Sequence, residues 1–389
     1  MRVAIVSEFY PRAHDPVLGV WAHRQALAAR DAGADVRVLV LHRPVPPRAT
    51  RLRDAPRVLR TMASQPRRAA LDGLDVRYVP FLAPARSRTY GSWGSWAAPT
   101  LAGALRRLRA EFDYDLVHAH NAVPAADAVL RARVRAPLVV SVHGGDVYFT
   151  APRHPAGARA VRRALGGARL VLANSAGVED EARRLGAAHT RVVRLGTDVP
   201  EHPPHKATDP TLVTVGHLVA RKRHADVVRA LWLLREQHPQ LRYLVIGDGP
   251  ERAPLERLAA ELGVAERVDF AGQLPHEEAL AAARAAHIFV MPSVDEAFGV
   301  AFVEAMAAGL PAIAARGEAG PQEIAGAGDG MRLVAPADVE ALAGELDALL
   351  AEPAYLQDLG ERARETVLRA FTWEICGRAT VQAYDDALR

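Results

Sequence analysis

The sequence predicts an α/β protein of two doubly wound domains, each a parallel sheet with helices on both faces. Short apolar runs alternate along the chain with longer helix-like segments, which is the pattern of strand–helix–strand units. The length of 389 residues exceeds one ordinary core and indicates two domains of about 200 residues each. A segment rich in proline and polar residues, from Pro200 to Pro210, separates two sets of apolar runs and is the predicted linker.

The first domain is predicted over residues 1–200. It begins with a strand at Arg2–Val6, followed by a helix at Val20–Arg30 that ends before Gly33. Its further strands are predicted at Val36–Val40, Leu116–Val117, Leu138–Val142, Leu170–Ala173 and Val192–Arg194. Residues 43–68 hold several prolines and eight arginines, and this composition indicates an excursion outside the core.

The second domain is predicted over residues 201–370. Its strands are predicted at Leu212–Val215, Tyr243–Ile246, Val268–Phe270, Ile288–Met291 and Ala312–Ala314, with helices such as Asp226–Gln237 and Glu277–Ala286 between them. Residues 371–389 have apolar side chains at helical spacing and form a predicted terminal helix. Doubly wound domains bind ligands at the carboxyl ends of their strands, so a cleft between the two domains is the expected active site.

Composition excludes several classes of protein. The hydrophobic content of 50% and the charged content of 24% are ordinary for a globular chain. No apolar run reaches the roughly 18–20 residues that span a bilayer, and the N-terminal MRVAIVSEFYP lacks the apolar core of a signal peptide. The single cysteine, Cys376, rules out an internal disulfide and a cysteine-based metal site. A cytoplasmic protein is the resulting expectation.

Charge is distributed unevenly between the two predicted domains. Residues 1–200 contain 31 basic and 16 acidic residues, a balance of +15, whereas residues 201–389 contain 18 and 29, a balance of −11. A strongly basic half can mark an anionic partner, or it can be an arginine-rich solvated surface. Nucleic acid is not the expected partner, because no aromatic residues interleave with the basic ones as in single-strand binders. The arginine-dense segment from Arg43 to Arg68 instead suggests peripheral association with an anionic membrane.

The most informative segment is DEAFGVAFVEAMAAGLP, from Asp295 to Pro311. It follows a predicted buried strand and runs into a helix, so the N–H groups of residues 298–300 lie at a helix N-terminus, which suits a phosphate. Glu296 and Glu304 flank this position, eight residues apart. Carboxylates repel phosphate but accept hydroxyl groups on either side of a diphosphate, and such a ligand is a sugar nucleotide. A surface helix with two solvated glutamates is the alternative for the bare spacing.

The segments EAFG and EAMAAGLP together resemble the donor-site signature of glycosyltransferase family 4. This family contains retaining enzymes of the GT-B fold, in which two Rossmann-like doubly wound domains face a central cleft. The resemblance implies that Glu296 contacts the donor sugar as a catalytic residue and that Glu304 contacts the ribose. Phe298, Gly299 and Val300 would offer backbone N–H groups to the diphosphate. The resemblance also implies that the terminal helix crosses back to the first domain.

GHLVARKR, from Gly216 to Arg223, resembles the family's diphosphate loop at the head of the second domain. Family members usually carry an arginine directly after the glycine and a lysine five residues later. Here His217 occupies the arginine position and Lys222 matches the lysine, so the resemblance implies that both bind the donor and that Lys222 is catalytic. Arg221, next to Lys222, could supply the missing positive charge to the donor.

Two segments of the first domain also resemble the family. SVHGGDVY, from Ser141 to Tyr148, follows a predicted strand. The resemblance implies that His143 is catalytic and touches the donor sugar, whereas a structural strand-end histidine is the alternative. Asp146 would bind the acceptor or orient its loop. The family's first loop usually carries two adjacent glycines. This chain keeps only Gly19, whose backbone would approach the donor phosphates because glycine lacks Cβ.

These residues predict retaining transfer of a sugar from a nucleotide-diphosphate sugar to an acceptor hydroxyl on a glycan or lipid-linked sugar. The opening helix and the GHL loop look most like the branch of the family that builds bacterial cell-surface polysaccharides. No metal is expected, because Lys222, the neighbouring arginines and the helix N-terminus can neutralise the leaving diphosphate. His118 and His120 alternate on one predicted strand without a cysteine or glutamate beside them, which does not make a convincing zinc site. No cofactor is expected either.

Three alternatives remain open. A sugar-nucleotide 2-epimerase of GT-B fold has the same two domains but uses no acceptor. A glycan phosphorylase needs a lysine for pyridoxal phosphate, and this chain offers only Lys206 and Lys222. A non-enzymatic nucleic-acid-binding protein would use the basic first half. The sequence identifies neither the nucleotide and sugar of the donor nor the acceptor.

Overall fold

The computed structural model describes residues 1–45, 52–201 and 205–389. The chain divides into two compact units. Unit 1 comprises Met1–Leu195 and Trp373–Arg389, and unit 2 comprises Gly196–Thr372. The boundaries therefore fall after residues 195 and 372, compared with the predicted positions after 200 and 370. Parts of the predicted excursion (46–51) and of the predicted linker (202–204) lie outside the described residues.

Unit 1 contains an eight-stranded sheet. Its strands are β1 (Arg2–Ser7), β2 (Asp35–His42), β3 (Arg68–Leu71), β4 (Leu74–Pro80), β5 (Leu116–His120), β6 (Leu138–Val142), β7 (Leu170–Ala173) and β8 (Thr190–Val192). The order is β3-β4-β2-β1-β5-β6-β7-β8, and the pairs are parallel except β3 with β4. The direction of winding reverses between β1 and β5, which is where a doubly wound sheet forms its ligand crevice.

Helices connect the strands of unit 1. They are α1 (Val20–Asp31), α2 (Ala55–Ala63), α3 (Arg86–Thr89), α4 (Trp93–Phe112), α5 (Asp127–Arg131), α6 (Ala151–Arg153), α7 (Pro155–Gly166) and α8 (Ala176–Arg184). The core of this unit is aliphatic and strand-based, with Val3, Ile5, Val38 and Val139 fully buried. Such continuous apolar strands are typical of parallel sheets, because both faces are covered.

Unit 2 contains a six-stranded sheet in which all pairs are parallel. Its strands are β9 (Thr211–Val215), β10 (Arg242–Ile246), β11 (Val268–Gly272), β12 (Ile288–Met291), β13 (Ala312–Ala315) and β14 (Met331–Val334). The order is β11-β10-β9-β12-β13-β14, so the winding reverses between β9 and β12. These two strands meet at the ligand-binding position of this unit.

Helices of unit 2 alternate with its strands. They are α9 (His224–Leu233), α10 (Arg252–Glu261), α11 (His276–Arg284), α12 (Val300–Ala307), α13 (Ala319–Ala327), α14 (Val339–Ala351) and α15 (Pro353–Ala370). The last helix, α16 (Trp373–Leu388), belongs to unit 1 and packs on α1. Gly377 permits this approach, because a Cβ there would lie 2.2 Å from the carbonyl oxygen of Ala28.

The predicted α/β class with two parallel doubly wound sheets is confirmed. Three strands escaped prediction, namely β3, β4 and β14. β3 and β4 pair antiparallel at one edge of the sheet, and the short sequence RAAL of β3 contains no β-branched or aromatic residue that would signal a strand. The predicted strand Val192–Arg194 was shifted, because β8 occupies Thr190–Val192. Within the described parts of the chain, no helix combines the length and the apolar character needed to cross a bilayer.

Candidate functional site

The site in unit 2 lies where the winding of its sheet reverses. Lys222 follows β9 by way of a short 3₁₀ turn, and Glu296 follows β12. Because β9 and β12 are hydrogen-bonded neighbours, their carboxyl ends bring these side chains together. The Lys222 Nζ atom lies 2.6 Å from Oε2 of Glu296 and 3.4 Å from the sulfur of Met291. The lysine and the glutamate, predicted separately from two motifs, therefore form one ion pair.

Glu296 is almost completely buried, with 7% of its surface exposed. The hydroxyl of Ser293 donates a hydrogen bond of 3.0 Å to Oε2, and the Arg221 guanidinium lies 3.8 Å from the same oxygen. Burial by itself raises the pKa of Glu296, but Lys222, Arg221 and Ser293 outweigh it and hold the pKa below its ordinary value. The carboxylate is therefore charged at neutral pH.

A second carboxylate fixes the loop that carries Glu296. The backbone N–H of Glu296 donates to Oε2 of Glu318 at 2.8 Å, and the N–H of Gly320 donates to the Glu296 carbonyl at 2.9 Å. Gly320 packs so closely that a Cβ there would lie 2.2 Å from the carbonyl oxygen of Phe298. Burial raises the pKa of Glu318, with Asp295 and Glu296 nearby adding to the effect. The sequence contains these residues in GEAGPQE, but nothing local to it indicates that Glu318 holds this loop.

Helix α12 begins directly after this loop. Its N-cap is Gly299, which adopts a left-handed backbone with φ of 83° and has no side chain to cap the helix. The first N–H groups of such a helix are suited to an anionic oxygen, and Phe298 and Val300 flank the same position. Glu304 lies one turn into the helix, and its Oε1 is 3.8 Å from Nε2 of His276 on α11. The N-terminus of α12 thus follows Glu296 closely in the chain, and Glu304 lies within the same helix.

His217 does not join this cluster. Its side chain is exposed, and among the described residues it is not one of the side chains that bond to Lys222 or Glu296. The loop that carries it is tied to the turn after β10, since the Leu218 N–H donates to the Asp248 carbonyl at 3.0 Å. Arg221, by contrast, lies beside Glu296. Donor binding by His217 therefore stays a prediction, while Arg221 supplies positive charge at the pair.

The predicted residues of unit 1 lie on different loops. His143 follows β6, and its Nε2 lies 3.1 Å from Nδ1 of His120 at the end of β5. Its ring also contacts Trp21 of α1, with ring centroids 4.0 Å apart. Burial, with His120 adding to it, lowers the pKa of His143 well below its ordinary value, so the imidazole is neutral. Its Nδ1 is buried without a hydrogen-bond partner among the described residues.

His118 and His120 were not expected from the sequence to bind zinc. In the structure both are buried, and the ring of His120 lies between those of His118 and His143. His118 bonds Tyr384 of α16 through Nδ1 and Ser141 through Nε2, each at 2.7 Å. Burial lowers the pKa of His120 to about 3. Among the described residues, no three His, Cys, Asp or Glu side chains group as a metal site would require. The sequence could indicate this alternation on one strand but not its pairing with His143.

Asp146 stabilises the loop of residues 121–123 through hydrogen bonds. Its carboxylate accepts hydrogen bonds from the N–H groups of Ala122 (2.9 Å) and Val123 (3.2 Å) and from the side-chain amide of Asn121 (3.2 Å). Burial raises its pKa to about 6 despite these bonds. Of the two roles predicted for Asp146, orienting the loop is the one that these contacts support.

Gly19 precedes α1 with a left-handed backbone, φ of 66°. A Cβ at this position would lie 2.2 Å from the carbonyl carbon of Phe9. The lack of a side chain is therefore required by the protein's own loop after β1. The predicted approach of Gly19 to donor phosphates stays a prediction.

Comparison with known proteins gives a consistent result. The model described as "Glycosyl transferases group 1" matches residues 197–366, and the model "Glycosyltransferase Family 4" matches residues 18–201. Glycogen synthase of Mycobacterium tuberculosis is 32% identical over 293 residues, which cover 71% of this chain and 69% of that protein. TuaC of Bacillus subtilis, a putative teichuronic acid biosynthesis glycosyltransferase, is 27% identical over 333 residues, which cover 80% of each chain.

A solved structure shows the same fold. HepE of Anabaena, in complex with UDP and glucose, superposes with a TM-score of 0.72 and covers 99% of both chains. The sequence identity is 19%, so this likeness concerns the fold.

Proposed function

The chain belongs to glycosyltransferase family 4 of the GT-B fold, and on that premise we propose that it transfers a sugar from a nucleotide-diphosphate sugar to an acceptor hydroxyl with retention of configuration. The observation that carries this proposal is the Lys222–Glu296 pair at the start of α12. The cation and the helix N-terminus match the diphosphate of such a donor, and the charged carboxylate matches its sugar hydroxyls.

Lys222 and the α12 N-terminus have complementary roles in this proposal. An ammonium has three donors and a carboxylate can accept about four hydrogen bonds, so the pair has capacity left for a ligand. Lys222, Arg221 and the N–H groups near Gly299 would stabilise the negative charge that develops on the leaving diphosphate. Glu296 would accept from a hydroxyl of the donor sugar, and Glu304 from the ribose. The pair fixes both side chains in advance, so little reorganisation accompanies binding.

His143 has a role that fits a neutral imidazole. Its Nδ1 has no hydrogen-bond partner among the described residues, and we propose that donor binding brings a hydroxyl of the sugar to this atom. The resemblance to family 4 implies a front-face attack, in which the leaving phosphate helps to deprotonate the acceptor. The anomeric configuration of the product, read by proton NMR, tests this. Retention is expected, and an inverted product would contradict the mechanism.

The donor is proposed to be a nucleotide-diphosphate sugar. HepE, a protein of the same fold, is described in complex with UDP and glucose, which supports this class of ligand. Screening UDP-, GDP- and ADP-sugars for slow hydrolysis by the purified protein would identify the nucleotide and the sugar. Release of free nucleoside diphosphate is expected. Conversion of the donor into its epimer without an acceptor would instead favour the 2-epimerase alternative.

The pathway is proposed to be assembly of cell-surface polysaccharide or glycolipid. The similarity to TuaC, whose name refers to teichuronic acid biosynthesis, supports this assignment. Candidate acceptors would be incubated with the identified donor, and a glycan or lipid-linked sugar is expected to be extended by one residue.

Peripheral association with an anionic membrane at the cytoplasmic face is part of the proposal. Arg53, Arg57 and Arg60 are exposed on and beside α2, and Leu82 (69%) and Trp96 (50%) expose large apolar surfaces in the same unit. Each basic residue near an anionic surface contributes roughly 1 kcal/mol. Co-sedimentation with anionic vesicles is expected at low salt, to weaken with added salt and in the variant Arg53→Gln/Arg57→Gln/Arg60→Gln. A protein that stays in the supernatant at low salt would rule out the association.

A further inference from the structure

A cavity of about 1090 Å³ opens in unit 1 where its sheet reverses. Glu8 and Phe9, directly after β1, and Asn121, directly after β5, line it. This is the crevice in which a doubly wound sheet binds its ligand. The volume slightly exceeds the roughly 300–1,000 Å³ typical of ligand pockets, so the cavity can hold more than a single sugar ring.

The cavity is lined by three arginines that approach one another. Arg12 donates to the backbone carbonyl of Glu8 at 2.8 Å, and Arg43 donates to the carbonyl of Ala83 at 2.8 Å. Arg86 lies 3.3 Å from Oε1 of Glu8. Within the described part of the chain, Arg86 alone of the three forms a salt bridge, and the hydrogen bonds of Arg12 and Arg43 go to neutral carbonyl oxygens.

The acidic side chains of the cavity are already occupied. Glu8 accepts from the Tyr90 hydroxyl at 2.7 Å as well as from Arg86. Asp146 uses its carboxylate to hold the loop that begins at Asn121. A fourth arginine, Arg153, is exposed at the rim. The cavity therefore has an excess of positive charge.

This excess has an energetic cost that a ligand would remove. The Nε atom of Arg12 is buried without a hydrogen-bond partner among the described residues. Burial lowers the pKa of both Arg12 and Arg43, and the charge of Arg86 also lowers it, while the Glu8 carboxylate offsets part of this effect. Partly buried cations that outnumber the carboxylates around them are unfavourable. An anion that accepts from several guanidinium groups would compensate, and phosphate matches the fork geometry of arginine.

Aromatic side chains hold these arginines in place. The Arg86 guanidinium lies over the ring of Tyr90, 4.1 Å from its centroid, and Arg43 lies over Trp93 at 5.0 Å. The Trp93 indole N–H is itself bonded to the carbonyl of Pro84 at 3.2 Å. Guanidinium groups fixed in this way lose little entropy when they bind a ligand.

We propose that this cavity binds the acceptor through a phosphate group carried by the acceptor. The acceptor is then either a sugar phosphate or a sugar linked to a lipid through phosphate. The inference rests on the proposed function, since it names the chemical class of the second substrate.

The test is a calorimetric titration of the full-length protein with glucose 1-phosphate, and with methyl glucoside as the uncharged control. Arg12→Gln and Arg43→Gln are expected to weaken binding of glucose 1-phosphate roughly ten-fold or more. Neither substitution is expected to change the response to methyl glucoside. Arg106→Gln, an exposed arginine on α4 that does not line the cavity, is the matched control and should bind as the unmodified protein does. Arg153→Gln at the exposed rim, expected to weaken binding to a smaller degree, serves if Arg12→Gln fails to fold.

A parallel arm separates the two sources of phosphate. Phosphatidylcholine vesicles with and without phosphatidic acid replace the sugar phosphate in a co-sedimentation assay. Loss of binding in Arg12→Gln and Arg43→Gln with the free sugar phosphate supports a soluble acceptor, and loss with the phosphatidic acid vesicles supports a lipid-linked one. If neither probe responds to these substitutions, the inference is overturned.

The titration is repeated with Lys222→Gln, which alters the proposed donor site in unit 2. Binding of glucose 1-phosphate that persists in Lys222→Gln and is lost in Arg43→Gln assigns the phosphate to unit 1. The opposite pattern overturns this inference and leaves the proposed function standing. The proposed function fails separately, if Lys222→Gln hydrolyses the donor at the unmodified rate.

Discussion

Glu296 in unit 2 and Asp146 in unit 1 are buried carboxylates that each follow a parallel strand, and they differ in their partners. Glu296 in unit 2 is paired with the Lys222 ammonium, 2.6 Å away, and its pKa lies below the ordinary value although burial opposes this. Asp146 in unit 1 is bonded only to amide N–H groups, and burial raises its pKa to about 6. Burial is similar, with 7% and 1% of the surface exposed.

The difference shows that the charge of the partner, more than the number of hydrogen bonds, determines the state of a buried carboxylate. The amide N–H groups satisfy the hydrogen-bonding capacity of Asp146 but do not fully compensate for the desolvation of its charge. The Lys222 ammonium group does compensate for the desolvation of Glu296, because the Coulomb attraction is strong where water is excluded. Glu296 is thus charged beside a cation and can still accept a hydrogen bond from a ligand. The carboxylate of Asp146, in contrast, already accepts three hydrogen bonds from the 121–123 loop.

The largest expected effect is that of Glu296→Gln. The amide keeps the shape of the side chain but loses the charge, so turnover at saturating donor should fall roughly 100- to 1,000-fold. The free energy of unfolding should change far less, because glutamine can still accept from Lys222 and Ser293. Steady-state kinetics and urea denaturation measure the two quantities, with Glu261→Gln on exposed α10 as the control. An unchanged rate would remove Glu296 from the proposed donor site.

Asp146→Asn should have the opposite effect to Glu296→Gln, with a clear loss of stability and little loss of donor hydrolysis. The asparagine has one carbonyl oxygen where the carboxylate has two, so one of the three N–H donors in the 121–123 loop loses its acceptor. The free energy of unfolding should fall by about 1–3 kcal/mol, the usual cost of an unsatisfied buried group. Slow donor hydrolysis should stay near the unmodified rate. Asp113→Asn, an exposed carboxylate, is the control for urea denaturation. Unchanged stability with a raised acceptor KM would instead favour acceptor binding by Asp146.

The neutral imidazoles of unit 1 make stability depend on pH. With a folded pKa of about 3, His120 binds a proton in the unfolded chain below about pH 6.5 but not in the folded protein. Stability contributed by His120 is therefore lost as pH falls from 6.5, by up to about 1.4 kcal/mol per pH unit. Asp146 opposes this between about pH 6 and 4, because its raised pKa lets the folded state take up a proton first.

His120→Gln removes one of these groups and should reduce the pH slope of the unfolding free energy by up to about 1.4 kcal/mol per unit between pH 5 and 6.5. Urea denaturation at several pH values measures the slope, and His189→Gln, at an exposed position of unit 1, is the control. An identical slope in His120→Gln and the unmodified protein would mean that His120 is not held neutral.

The smallest expected effect is that of metal removal. If Lys222 and the helix N-terminus neutralise the diphosphate, donor hydrolysis should proceed at the same rate after treatment with EDTA. A bound metal cation would be the largest local charge and would replace Lys222 as the main partner of the Glu296 charge. The EDTA experiment therefore tests whether Lys222 is the cation that distinguishes Glu296 from Asp146. Loss of activity that manganese restores would show that the ion pair with Lys222 is not sufficient.

The sequence predicted the elements whose signals are local. Apolar runs such as Ile288–Met291 are read from the chain alone, because continuous burial in a parallel sheet demands continuous apolar residues. Lys222 and Glu296 were predicted from short motifs that resemble those of the family, and such motifs can be recognised in the sequence because a strand end, a tight turn and a helix start are adjacent in the chain. β3, by contrast, was missed because the edge of a sheet accepts a strand with weak propensity when its neighbour β4 supplies the pairing.

What only the tertiary structure decided is which side chains meet. Glu318 holds the backbone of Glu296 from 22 residues away, and Tyr384 reaches His118 across 266 residues. The cavity residues Arg12, Arg43 and Arg86 likewise come from separate segments. Such pairings depend on the order of strands in the sheet and on where α16 packs, and these follow from the balance of long-range contacts over the whole chain. No local pattern encodes that balance, so the partners of a charge, and with them its pKa, belong to the folded protein.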